Sequence, residues 1–143
     1  MQLVDDRITD NFRLSEFANT LDGNVVLINP DVIAFIQMLQ KLRNWYKRVI
    51  NISSGYRTKR FNSMIGGASN SYHLRGLAAD FFLPPEYFRY TQERKNEFLS
   101  NVRKKWEELC RADGKRASVI YYDTIVHLSW WPVWFFADKR TKK

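Results

Sequence analysis

The chain has one cysteine, Cys110, two histidines, His73 and His127, and only six glycines and four prolines among 143 residues. One cysteine excludes an intrachain disulfide and a four-cysteine metal site, and it fits synthesis in a reducing compartment. So few glycines and prolines leave no low-complexity segment and no long flexible linker. No apolar run reaches the ~18 residues of a membrane-crossing helix, which excludes an integral helical span. The first 17 residues are broken by Asp5, Asp6, Arg7 and Asp10 and hold no signal-peptide stretch. The expectation is a protein made in the cytoplasm, delivered by some other agent if it acts outside.

The composition is that of a globular protein: 45% hydrophobic, 15% aromatic and 27% charged. The length suits one domain over residues 1–143, and a monomer is expected. The formal net charge is +8 and the sequence pI is near 9.7. That balance favours an anionic partner, whether nucleic acid, anionic lipid or cell-wall polymer. Charge alone does not choose among them, and solubility alone would also account for it.

The hydrophobic pattern predicts α+β, with a small antiparallel sheet flanked by helices. A short helix is expected over residues 14–18, with Ser15 near its start. Asn29 and Pro30 form a cap and first-position signal for a longer helix whose apolar residues Ile33, Ile36, Leu39, Leu42 and Tyr46 recur at helical spacing. Residues 49–53 and 77–83 read as strands, the second ended by Pro84 and Pro85. Residues 91–110 carry Phe98, Val102, Trp106 and Leu109 on one helical face, stopped by Gly114. Residues 118–122 and 125–130 read as two more strands, with Asp123 and Thr124 at a hairpin turn.

Both histidines sit beside predicted strands, and Asp80 lies between them in sequence. Two imidazoles and a carboxylate are the donor set of a catalytic zinc site, which keeps a position open for water. Such a set adds one negative charge to Zn²⁺, so the site stays net positive and polarises a carbonyl. Ordinary surface histidines and a strand-end aspartate are the alternative, and spacing alone does not remove it.

The surrounding letters do. Ser53-Ser54-Gly55-Tyr56-Arg57-Thr58, Asn62 and Gly66-Gly67-Ala68 lead into Ser71-Tyr72-His73-Leu74-Arg75-Gly76-Leu77-Ala78-Ala79-Asp80, and Val126-His127-Leu128-Ser129 follows. This order resembles the zinc D-alanyl-D-alanine carboxypeptidase family, which includes phage L-alanyl-D-glutamate endopeptidases and other murein peptidases. Phe12-Arg13-Leu14-Ser15-Glu16-Phe17 is similar to the opening of phage-type members. The resemblance spans roughly residues 12–130.

It implies that His73, Asp80 and His127 hold Zn²⁺, with the site on the sheet. It implies that Arg57 orients substrate or steadies the oxyanion, a role suited to a fixed, bidentate cation; a surface ion pair is the alternative. Ser71 is implied as support for the first ligand, and Gly76 as a position where a side chain would obstruct. The implied activity is hydrolysis of peptide bonds in peptidoglycan stem peptides, as murein endopeptidase or D,D-carboxypeptidase, by a phage-type endolysin acting at the bacterial cell wall.

One position departs from the pattern. Many members carry a catalytic Glu or Asp three residues before the last histidine, where this chain has Thr124. Asp123 is the nearest carboxylate. On one continuous strand it would share a face with residues 125 and 127 and serve as general base; at a turn it would only shape the turn. Glu16 is the next candidate. Two other functions stay open: a binding module of a virion or cell wall that has lost catalysis, supported by Thr124, and a basic nucleic-acid-binding protein, supported by charge alone. Residues 130–136 followed by the basic end fit either an anionic surface or closure of the core.

Overall fold

In the computed structural model, which describes residues 6–132, the Asn29-Pro30 signal starts helix α1, Pro30–Tyr46. Asn29 Oδ1 accepts from Val32 N–H at 2.9 Å, which satisfies one of the free donors at the helix start. The buried stripe is broader than the spacing predicts: Val32, Phe35, Ile36, Met38, Leu39 and Leu42 all lie inside. The opposite face, with Asp31, Gln37, Lys41 and Asn44, is exposed, and of the predicted core residues Ile33 and Tyr46 are only partly buried.

Strand β1 is Ile52–Ser54, shorter and later than the expected 49–53. Val49 is 68% exposed, so the β-branched run begins before the sheet does. Helix α2, Lys59–Met64, follows, with Thr58 Oγ1 capping Phe61 N–H at 3.1 Å. Strand β2 is Ala78–Phe82. Helix α3, Gln92–Ala112, is capped by Thr91 and buries Val102, Trp106 and Cys110. Burial pushes the Cys110 thiol up to about 12, so it is a core residue and not a reactive one.

Strands β3, Lys115–Tyr121, and β4, Ile125–Pro132, form the expected hairpin, closed where Tyr122 N–H donates to Ile125 O at 3.0 Å. The sheet is antiparallel with order β1-β2-β4-β3, and the fold is α+β. Pairing β2 directly with β4 is what brings the first and last motifs together across 47 residues of chain.

The two faces of β4 divide the work. Val126, Leu128 and Trp130 point into the core. Phe35 meets Trp106 edge-on at 5.9 Å and stacks on Trp130 at 6.2 Å. Trp106 Nε1–H also donates to Ser129 O at 3.0 Å, so helix α3 is tied to the strand that carries His127. Truncating a core aromatic of this kind costs about 3–5 kcal/mol. Residues 133–136 and the basic end lie outside the described residues.

Candidate metal centre

His73 sits in a short 3-10 turn, Tyr72–Arg75, directly before β2. Ser71 Oγ accepts from His73 N–H at 3.2 Å and fixes the start of the turn. Gly76 closes it in the left-handed region at φ 68°, where a Cβ would also lie 2.7 Å from Val32 Cγ2. Both constraints select glycine. Arg57 N–H donates to His73 O at 3.0 Å, binding the turn to the segment after β1.

The ring of His73 is oriented by its other nitrogen. Nδ1 lies 2.6 Å from Gly55 O, and a carbonyl only accepts, so Nδ1 carries the proton. The lone pair is therefore on Nε2. Gly55 itself is held against the main chain of Phe17: a Cβ there would fall 2.6 Å from Phe17 Cα. A side chain at 55 would displace the carbonyl that orients His73.

Asp80, mid-strand on β2, faces His127 on β4 as its register partner. His127 Nδ1 lies 2.7 Å from Asp80 Oδ1, and His73 Nε2 lies 3.3 Å from the same oxygen. The ring centroids of the two histidines are 5.1 Å apart. One donor atom from each of His73, Asp80 and His127 falls within 4.8 Å of the others. His73 Nε2 is buried and has no hydrogen-bond partner despite its approach to Asp80. A buried ring nitrogen left unpaired is costly, and a cation is the partner that its lone pair fits.

The second carboxylate oxygen faces Arg57. Nη2 is 3.5 Å from Asp80 Oδ2, Nη1 donates to Asn62 Oδ1 at 3.3 Å, and Nε donates to Ser54 Oγ at 3.3 Å. Arg57 is thus a largely buried partner of Asp80 and not a surface ion pair, while it still borders the cleft. Burial alone would raise the Asp80 carboxyl, but His127 and His73 outweigh it and hold the group well below the usual carboxylate range. Asp80 stays a ready anionic ligand.

These residues open on a cleft of about 620 Å³, whose mouth is bordered by Tyr72 and Trp131, stacked in parallel at 5.0 Å. Asp123 is not brought into it. It occupies the exposed hairpin turn between the cleft residues Tyr122 and Ile125, so the continuous-strand geometry does not apply. Glu16 is not among the cleft residues either: its carboxylate accepts from Arg13 N–H at 2.7 Å and caps its own turn. Among the described residues lining the cleft, Asp80 is the sole carboxylate.

Sequence reasoning gave no role to Ser54, Gly55 or Asn62. Asn62 is 3% exposed, and besides meeting Arg57 it donates to Ala68 O at 2.9 Å, linking α2 to the loop before His73. Its place in the motif, five residues after Arg57, was the available signal.

A helix-flanked antiparallel sheet presenting a His, Asp, His cluster on one face is the arrangement of a metallopeptidase. Residues 10–101 match the family model described as Peptidase M15, and the chain belongs to that family. The matched region includes Arg57, His73 and Asp80 and ends before His127. No curated protein matches the chain.

Proposed function

We propose that this metallopeptidase is a zinc enzyme that hydrolyses peptide bonds in bacterial peptidoglycan stem peptides, as a phage-type endolysin does. The observation that carries the reading is the convergence of donor atoms from His73, Asp80 and His127 within 4.8 Å, with His73 Nε2 buried and unpartnered. These three residues would hold the ion. Bound there, Zn²⁺ supplies a Lewis acid that polarises the scissile carbonyl and makes water a nucleophile near neutral pH.

The chain's own residues supply the rest. Gly55 O fixes the His73 tautomer, and Arg57 fixes Asp80 through Oδ2, so the donor set is preorganised before substrate arrives. Arg57 also presents positive charge at the cleft, where it would steady a developing oxyanion. Asp123 stands outside the cleft lining, in the exposed turn between Tyr122 and Ile125, and as the proposed proton carrier would have to reach the cleft from there. The cleft lining extends on both sides of His127, to Ile125 and to Ser129, which suits a bond inside a peptide better than one at its end.

A second reading keeps the fold and the metal but not the turnover: a wall-binding module. The position of Asp123 in an exposed turn, with no other free carboxylate among the described cleft residues, favours it. Mass spectrometry of purified peptidoglycan after incubation with zinc-loaded protein separates the two. New amino and carboxyl termini at one bond type are expected and identify the bond cut. Tight sedimentation with the wall and no new termini would support the binding module.

A further inference from the structure

The sheet face that carries the metal-centre residues has a chemical direction. The antiparallel register sets its side chains in rows across β2, β4 and β3. Asp80, His127 and Ile120 form the middle row. Towards the hairpin lie Phe82, Ile125 and Tyr122, a row of two apolar side chains and a tyrosine ring with no charged group. On the other side lie Ala78, Ser129 and Ser118, a row of small residues with two hydroxyls. Successive rows are about 6.6–6.8 Å apart, two strand rises, which is also the spacing of alternate side chains in an extended peptide.

Each flanking row lacks something that a peptide supplies. Phe82, Ile120 and Tyr122 are 50%, 43% and 53% exposed, a contiguous apolar shelf ending at the metal centre. Ser129 is only 2% exposed and lines the cleft, and its main-chain carbonyl is taken by Trp106 Nε1–H while its side chain borders the cleft space. Ser118, its register partner, also lines the cleft. A hydroxyl can donate and accept, so a pair of them along the cleft suits the alternating N–H and C=O groups of a peptide main chain.

Resting on the peptidase reading above, we propose that the cleft reads its substrate in one direction. An apolar side chain next to the scissile bond lies on Ile120, Tyr122 and Ile125, and main-chain polar groups beyond the bond pair with Ser118 and Ser129. The substrate class is a peptide with an apolar residue, rather than an acidic one, on the hairpin side. This preference runs against the +8 net charge, which by itself would favour acidic groups.

Hydroxamates test this without turnover, because their head group ligates the metal and the attached residue samples the shelf. Zinc-loaded full-length chain would be titrated calorimetrically with acetohydroxamate, leucine hydroxamate, aspartate hydroxamate and N-acetyl-leucine hydroxamate. Leucine hydroxamate should bind at least about tenfold tighter than the aspartate probe, the lower end of hydrophobic-pocket discrimination. The double variant Ile120→Ser, Tyr122→Ser, at exposed positions that folding tolerates, should bring that ratio to within about twofold. Ser129→Ala should weaken N-acetyl-leucine hydroxamate by about three- to tenfold and acetohydroxamate by less, as expected for one lost hydrogen bond. Equal binding of the leucine and aspartate probes, or a ratio that survives the double substitution, overturns the inference while leaving the metal centre intact. Failure of acetohydroxamate itself to bind overturns the metal centre and the inference together.

Discussion

Asp80 accepts a 2.7 Å hydrogen bond from His127 on Oδ1 and faces Arg57 at 3.5 Å on Oδ2, so its two oxygens have separate tasks. The first gathers the imidazoles and the second anchors the carboxylate to the segment after β1. His127 reaches Asp80 because β2 and β4 are register partners at these residues, so sheet pairing builds the centre.

Arg57→Lys keeps the charge but loses the fork that meets Ser54, Asn62 and Asp80 together. The expected result is about a 10–100-fold loss of zinc affinity or activity, the range for groups that support a metal ligand. Competition with a zinc-binding dye measures affinity, and steady-state kinetics measures turnover. Parent values in both would mean that Asp80 needs no second anchor.

Asp123→Asn preserves the turn while removing the charge. If Asp123 carries the proton, kcat falls by about 10²–10⁴-fold with zinc content and melting temperature unchanged. Turnover within about threefold of the parent would place the base elsewhere. This variant also weighs the binding-module reading, because a chain without turnover has no rate for it to lower.

Gly76→Ala forces a side chain into the left-handed region and against Val32. The strain is worth about 1–3 kcal/mol, and it falls on the turn that holds His73. Urea unfolding should show the lost stability, and zinc affinity should fall with it. A fully stable variant with parent affinity would show that the turn relaxes freely.

Much of the centre was legible because its chemistry is concentrated in rare letters. With only two histidines in the chain, one imidazole set could be assembled, and Ser71, His73, Gly76 and Asp80 sit in one continuous motif. The hairpin at Asp123 and Thr124 was legible from alternation and the polar pair between two β-branched runs. What stayed hidden depends on contacts through space. Gly55 matters for the direction of its carbonyl, and Asn62 for a side chain tucked beneath the loop before His73. The rows across the sheet needed the β2–β4–β3 register, which alternation within single strands does not reveal. The first strand was placed early because Val49 and Ile50 have strand-type side chains, whereas pairing with β2 begins at Ile52.

The central claim is that His73, Asp80 and His127 together hold one zinc ion. Elemental analysis of the purified chain beside its His127→Ala variant, with circular dichroism to establish folding, tests it most directly. One zinc per parent chain, and loss of most of it in a folded His127→Ala protein, is the predicted result. Full zinc occupancy in folded His127→Ala would contradict it.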